Sequence, residues 1–410
     1  METHATGQPG STADEAPSIR GDEPGTLAWR VLHERHPKLL RQVAEGLPYG
    51  PEQRRALDEL SSECADDGVL RPIEPDDAPD HTSWRRWEEW GRGHYGRRWT
   101  DVPFLWAESY FYRRLLAAVG YFGPGPWRGV DPFEPVKRAE LAGEGVDAEL
   151  AALDALEDLS EDERGAALVL SSLWGNRADL AFRVSARQGE VAGVGDEPAL
   201  VRDLLVDDRD LVWKALRDGA PGRVCLVADN AGPELLPDLA LVDHLLRSGL
   251  AAEVLLHVKP HPYFVSDATT ADVLAGLRRL AAAPGAAAAV GARLWEAMGD
   301  GRLRIRAHGF SCAPLAYRDM PEEMRVEFAG ASLTIFKGDL NYRRLVGDRA
   351  WPGTTPFAER TDYFPGPLVA LRTLKSDVLV GVAGETLAAL DATGPRWRSA
   401  GTHALISARV

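Results

Sequence analysis

One segment of this chain leaves few folds open. "RVCLVA" (223–228) is a short apolar run, "ELLPDLALVDHLLRSG" reads as a helix, and "AAEVLLHV" (251–258) is apolar again. Gly249 stands where a glycine ends a helix. Strand–helix–strand is the unit of a parallel sheet, because parallel neighbours need a crossover long enough to hold a helix. Later apolar runs at "RIRA" (304–307), "SLTIF" (332–336), "DVLVGV" (377–382) and "ALISA" (404–408) are read as further strands, the last pairing antiparallel at an edge. Upstream, "DVPFLWAESYFYRRLLAAVGYF" repeats apolar residues near the helical period, and "DAELAALDALEDLSEDERGAALVLSSLWGN" contains two more helices with Ser160 as an N-cap. No strand alternation is found in that half. The fold expected is α/β: a Rossmann-like α/β/α sandwich over 216–410, a helical N-terminal domain over 26–215, and a disordered tail over 1–25.

The tail, "METHATGQPGSTADEAPSIRGDEPGT", has no basic or apolar stretch of the kind a signal peptide carries, and no run of 18 apolar residues occurs in the chain. A net charge of −15 argues against nucleic-acid or anionic-membrane partners. The three cysteines, Cys64, Cys225 and Cys312, form no CxxC pair, which fits a reducing cytoplasm.

Ligands of an open parallel sheet bind beyond the carboxyl ends of its strands. There "VCLVA" runs into Asp229 and Asn230, "EVLLHVKPHPYFVSD" runs on to Asp267, and "SLTIFKGDLNYRR" leads to Lys337, Asp339, Asn341 and Arg343; Lys375 precedes another strand candidate. Two carboxylates and an amide oxygen form a hard-oxygen set that suits Mg²⁺ or Mn²⁺, and the basic residues beside it suit a phosphorylated substrate. Asp339 and Asn341 lie two apart, so an extended chain would aim both at one ligand, with Arg343 continuing the spacing. Asn341 could instead cap a helix. Taken singly, Asp229-Asn230 reads as a turn, Asp267 as a cap for a helix starting near Thr270, and Arg113-Arg114 as a solvated face. Trp84, Trp87 and Trp90 read as packing rather than base stacking. His257 and His261 are interrupted by prolines and read as structural rather than as zinc ligands.

Together "AESYFYRRL", "DPFEPVK", "SSLWGNRADLAF", "ADNAGPELLPDLALVDHLL", "HVKPHPYFVSD", "FKGDLNYRRLVGDRAWPGTTPF" and "LRTLKSDVLVG" resemble, in order, the DUF89 family of metal-dependent damage-control phosphatases, in its acidic residue methyltransferase 1 branch. The resemblance spans about residues 107–382. It implies a divalent metal (Mn²⁺ or Mg²⁺, with Co²⁺ and Ni²⁺ as further options) held by Asp229, Asn230 and Asp267 as the catalytic set. It places a sugar phosphate, such as fructose 1-phosphate, against Asp339, Leu340, Asn341, Tyr342, Arg343 and Lys375. Pro233 departs from the bulky apolar residue usual in relatives, but proline is tolerated early in a helix. Two further activities compete with phosphatase: an S-adenosylmethionine-dependent protein-glutamate methyltransferase, and a phosphometabolite-binding protein without turnover. Against the former, the glycines Gly219 and Gly222 precede the first strand of the α/β half, the wrong side for a nucleotide-like cofactor. A DxDxT motif for an aspartyl-phosphate route is absent.

Overall fold

The computed structural model describes residues 16–175 and 203–410. The strands are β1 (Leu204–Asp207), β2 (Gly222–Val227), β3 (Ala251–His257), β4 (Leu303–Arg306), β5 (Leu333–Lys337), β6 (Leu368–Thr373) and β7 (Ala404–Arg409). They form one seven-stranded sheet in the order β1-β7-β6-β5-β2-β3-β4. β2 to β6 run parallel; β7 is antiparallel to β6, and β1 is parallel to β7.

The apolar runs are continuous because the sheet is covered on both faces. Val224, Leu226, Val254, Leu256, Leu333 and Ile335 pack into one core with helices Leu235–Arg247, Thr270–Ala281 and Gly285–Gly299. Their neighbours Cys225, Val227, Leu255 and Phe336 face a second core, with helices Glu322–Ala329 and Gly338–Val346. A third core belongs to the helical half: Trp87, Trp99, Tyr110, Phe111 and Leu115 gather there and meet the α/β half through Tyr263, Cys312 and Leu340. Trp87 is buried in it, in keeping with packing. Gly249 follows its helix with φ +72°, and Ser160 with Glu163 forms a capping box. Among the described residues no helix is long and apolar enough to cross a membrane.

Several expectations are corrected. The sheet draws β1 from before residue 216, and helices Glu144–Ala152 and Glu161–Trp174 contribute Val146, Leu150, Leu168 and Leu173 to the sandwich core. The division at 215/216 therefore cuts through packed layers. β7 is antiparallel but interior, since β1 lies outside it. Residues 377–382 are not a strand; Leu368–Thr373 is. The apolar side chains of Val378, Leu379 and Val380 are buried, but Gly381 and Val382 bond their backbones to Thr355 and Gly353 in a loop. Residues 16–25 are placed rather than loose: Ser18 bridges Arg349, and Phe104 N–H donates to the Ile19 carbonyl at 2.8 Å. Residues 1–15 of the expected tail, and the end of "SSLWGNRADLAF" from 176 onward, lie outside the described residues.

Candidate active site

β2 lies between β5 and β3, and the chain leaves it toward one side and returns on the other. That crevice, at the carboxyl ends of β2 and β5, is where an open α/β sheet takes its ligands. Beyond β2 the backbone of Asp229, Asn230 and Ala231 is held against the loop that follows β3. Ala268 N–H donates to the Asp229 carbonyl at 2.8 Å, Ala231 N–H donates to the Ser266 carbonyl at 2.6 Å, and Asn230 pairs with Asp267 in an isolated antiparallel bridge. Asp229, Asn230 and Asp267, 38 positions apart at their extremes, are thus brought together. To reach this register the loop holds two non-glycine residues in left-handed backbone, Phe264 at φ +48° and Val265 at φ +65°; such strain persists where the surroundings over-determine it.

The carboxylates are short of positive charge. Burial, then Asp267 and Glu234, push the Asp229 carboxyl well above its usual range. Burial raises Asp267 to about 6 against the pull of Lys259, whose Nζ is 3.3 Å from Asp267 Oδ2, although that oxygen makes no hydrogen bond. Among the described residues no ion pair reaches Asp229. The Asn230 amide compensates in part: its Nδ2 donates to Glu234 at 2.9 Å and toward Asp229 at 3.4 Å, while its oxygen accepts from Ser266. Asp267 does not cap the following helix, because Thr269 and Asp272 form that cap themselves.

A cavity of about 270 Å³ opens over this set, lined among others by Arg35, Glu108, Asp229, Asp267, Asp339 and Lys375. A second, of about 360 Å³, shares Asn230, Glu234 and Ser266 with it. Among the described residues no three His, Cys, Asp or Glu side chains converge on one point. The oxygens available to a cation are therefore two carboxylates and one amide, with water completing the shell, which fits Mg²⁺ or Mn²⁺. The buried carboxylate pair, of which Asp267 has Lys259 beside it and Asp229 has no ion pair among the described residues, is what such an ion would satisfy.

The segment after β5 does not run on extended. It turns directly into helix Gly338–Val346, so Asp339, Asn341 and Arg343 do not share one direction. Asp339 lines the cavity; burial raises its carboxyl, but Arg372 and Arg343 outweigh that and hold it below the usual value. Arg372 Nη2 lies 2.7 Å from it and Ser376 Oγ donates to it at 3.0 Å. Asn341 is wholly buried; its amide donates to the carbonyls of Ala228 and Lys337 and accepts from the Tyr317 hydroxyl. It neither faces the cavity nor caps a helix: it ties the helix to the end of β2. Leu340 lines the cavity, whereas Tyr342 points into the core and meets the Val380 backbone. Arg343 lines the cavity but is gripped by Glu108 at 2.9 Å and Asp348 at 2.7 Å. Lys337 turns away to Asp238 at 2.9 Å. Lys375, about half exposed, stands 3.6 Å from Glu234. His257 and His261 lie outside the cavity, and burial pushes both down to about 3. Arg113, read as solvated, is buried against Asp76 at 2.6 Å.

Some residues around the cavity carry little signal in the sequence. Glu234 follows Asn230 by four, one helical turn, and that spacing is the only pointer to it. Lys137, in "DPFEPVK", donates from burial to Asp131 and Asp272 at 3.0 Å and to the Asp267 carbonyl at 3.2 Å, fixing the loop. Arg372, in "LRTLK", positions Asp339 and the Ser376 backbone. Gly338 has φ +83°, and a Cβ there would fall 1.9 Å from Asp229 Oδ2. Gly338→Ala is expected to cost about 1–2 kcal/mol for the left-handed backbone alone and to displace the Asp229 carboxylate. A denaturant midpoint together with Mn²⁺ affinity measures both effects, and an unchanged pair of values would refute the close approach.

A family model described as the damage-control phosphatase ARMT1-like domain matches residues 31–390. A damage-control phosphatase ARMT1 of Danio rerio is 32% identical, covering 93% of this chain and 94% of its own length. The Mus musculus protein of the same name is 30% identical over 96% of this chain and 98% of its own. A crystal structure of a DUF89 family protein from Pyrococcus horikoshii aligns with 91% of this chain and 97% of its own at 14% identity and a TM-score of 0.46.

Proposed function

The chain belongs to the damage-control phosphatase ARMT1-like family, and from that membership we propose that it is a metal-dependent phosphatase acting on sugar phosphates. The observation that carries this reading is the pair Asp229 and Asp267, buried side by side without adequate counter-charge at the carboxyl edge of the sheet. Asp229, Asn230 and Asp267 would hold the divalent ion, Mn²⁺ or Mg²⁺. When bound, the ion polarises phosphoryl oxygens and offsets the charge that develops on them.

The chain's own residues do the rest. Lys375, held above the ordinary lysine value because Glu234, Asp229 and Asp339 outweigh its burial, stays charged and receives a phosphoryl oxygen. Asp339, kept ionised by Arg372, accepts hydrogen bonds from sugar hydroxyls. A site built that way disfavours analogues without them, because its acceptors are then left unpaired. The net reaction adds water to the phosphomonoester and releases the alcohol and inorganic phosphate. Three buried free thiols, Cys64, Cys225 and Cys312, support a reducing, cytoplasmic setting.

The test is phosphate release from a panel of hexose and pentose phosphates with and without Mn²⁺. Metal-dependent release is expected. Methyl transfer without phosphate release would move the chain to the methyltransferase class, and binding without either would make it a carrier. Within the panel, Lys375→Ala should raise KM and lower kcat/KM about tenfold, or about 1.4 kcal/mol. The lysine's exposure places it at the low end for a charge-assisted contact. Wild-type kinetics would return it to an ordinary surface lysine.

A further inference from the structure

Three basic side chains line the 270 Å³ cavity: Arg35, Arg343 and Lys375. Arg343 is already neutralised between Glu108 and Asp348 and lies over the Phe104 ring, 4.9 Å from its centroid. Moving it to a substrate would strand two buried carboxylates. Lys375 is engaged only loosely, by Glu234 at 3.6 Å. Arg35 is exposed and, among the described residues, makes no hydrogen bond or ion pair.

Its position is set from behind. Pro37 has no N–H to offer within the helical run that begins at Leu27, so the run widens there into a π-turn over Val31–Arg35. His36 N–H reaches back five residues to the Val31 carbonyl. His36 is wholly buried and lies flat on Phe111, with ring centroids 3.6 Å apart and 3° between planes. Leu27 and Val31 line the same cavity as Arg35, one turn apart along one face. The stem of Arg35 is therefore fixed on a packed helix while its guanidinium remains available. Glu108 supplies a nearby charge of the sign to keep it there, since the Arg35 guanidinium favours the ionised form of that carboxyl.

We infer that Arg35 is a substrate-binding residue whose guanidinium takes anionic oxygens of the phosphorylated substrate alongside Lys375, while Arg343 builds the cavity wall. This rests on the phosphatase reading in taking the substrate to be phosphorylated. A planar fork matches phosphoryl oxygens two at a time, which an ammonium does not. It places a recognition residue in the helical half, where none of the site residues expected from the sequence lies.

The experiment is calorimetric titration of inorganic phosphate, with Mn²⁺ present, into the wild-type chain, Arg35→Met and Arg35→Lys. Arg35→Met should bind phosphate at least tenfold more weakly, and Arg35→Lys should recover part of the loss. The thermal midpoint should stay within about 2 °C, because among the described residues the Arg35 side chain has no hydrogen bond or ion pair to lose. In turnover, Arg35→Met should raise KM for sugar phosphates and leave kcat within about twofold. Equal phosphate affinity in wild type and Arg35→Met would overturn the inference, as would wild type that binds no phosphate, or a loss matched by a lower thermal midpoint. Arg35-dependent phosphate binding without any sugar-phosphate turnover would sink the phosphatase reading and leave this one standing. Normal turnover in wild type and Arg35→Met alike would do the reverse.

Discussion

Asp229→Ala should reduce phosphate release to background while the protein keeps, or gains, thermal stability. The two halves of this expectation have one cause. Asp229 is crowded by Asp267 and Glu234 and has no ion pair among the described residues, so without an ion its charge is a burden on the folded state. Removing it relieves that repulsion and deletes one of the two carboxylates proposed to hold the cation. Stabilisation by Mn²⁺ should vanish with it; for a ligand at a hundred times its dissociation constant that stabilisation is about 2.7 kcal/mol. Asp267→Ala should also abolish turnover but should lower the thermal midpoint, because Lys259 is only 3% exposed and would lose the carboxylate 3.3 Å away. Residual turnover in Asp229→Ala, or an undiminished midpoint shift with Mn²⁺, would remove this residue from the metal site.

Arg343→Ala is expected to destabilise the fold by about 3–5 kcal/mol, the usual loss when one member of a buried ion pair is deleted. Glu108 and Asp348 would both be left buried without their counter-charge. Asp348 also accepts from the Leu105 N–H at 3.1 Å, near the start of helix Phe104–Ala118. The damage should therefore spread to the junction between the helical half and the sandwich. Arg343→Lys should recover only part, since one ammonium cannot reproduce the fork that meets Asp348 through Nε and Nη2 and Glu108 through Nη1. Denaturant unfolding measures the loss. A variant with wild-type stability and a raised KM would show instead that Arg343 serves the substrate directly.

What can be read from the sequence follows from which forces act locally. β2 and β3 are legible because burial on both faces demands apolar residues through their central positions, Val224–Val227 and Val254–Leu256, and Gly249 marks the turn from the crossover helix into β3. Parallel neighbours that end at the same edge bring the loops carrying Asp229 and Asp267 near each other, whereas the left-handed turn at Phe264 and Val265 that completes their register has no sequence signal. β1 is four residues whose pairing depends on a strand far along the chain, so no local pattern announces it. β6 is masked because residues 377–382 are as apolar as a strand and as buried, and apolarity does not reveal which segment bonds to the sheet. The course of Asp339, Asn341 and Arg343 hinges on one glycine. Gly338 in left-handed backbone starts a helix in place of the expected extended run, and that swings Asn341 into the interior and Arg343 onto Glu108. Arg35 is hidden for a different reason: that its side chain has no hydrogen bond or ion pair among the described residues is a property of the packed molecule.

The placement of β7 between β1 and β6 has a consequence for biosynthesis. Among the described residues β1 meets no sheet neighbour except β7, and Ala408 N–H donates to Asp208 Oδ2 across 200 residues of chain. A ribosome adding roughly 5–20 residues per second opens a gap of roughly ten to forty seconds between making one strand and making the other. Throughout that interval β1 and its following helix Arg209–Asp218 have no sheet to join, and the edge of β6 stands open. The growing chain can assemble the β5-β2-β3 centre, beside which Asp229 and Asp267 lie, while two neighbouring strand positions wait unfilled. Loss of the last strand alone, by a late stop codon or by proteolysis, would therefore strip both β7 and β1 from the sheet and leave β6 as an aggregation-prone edge.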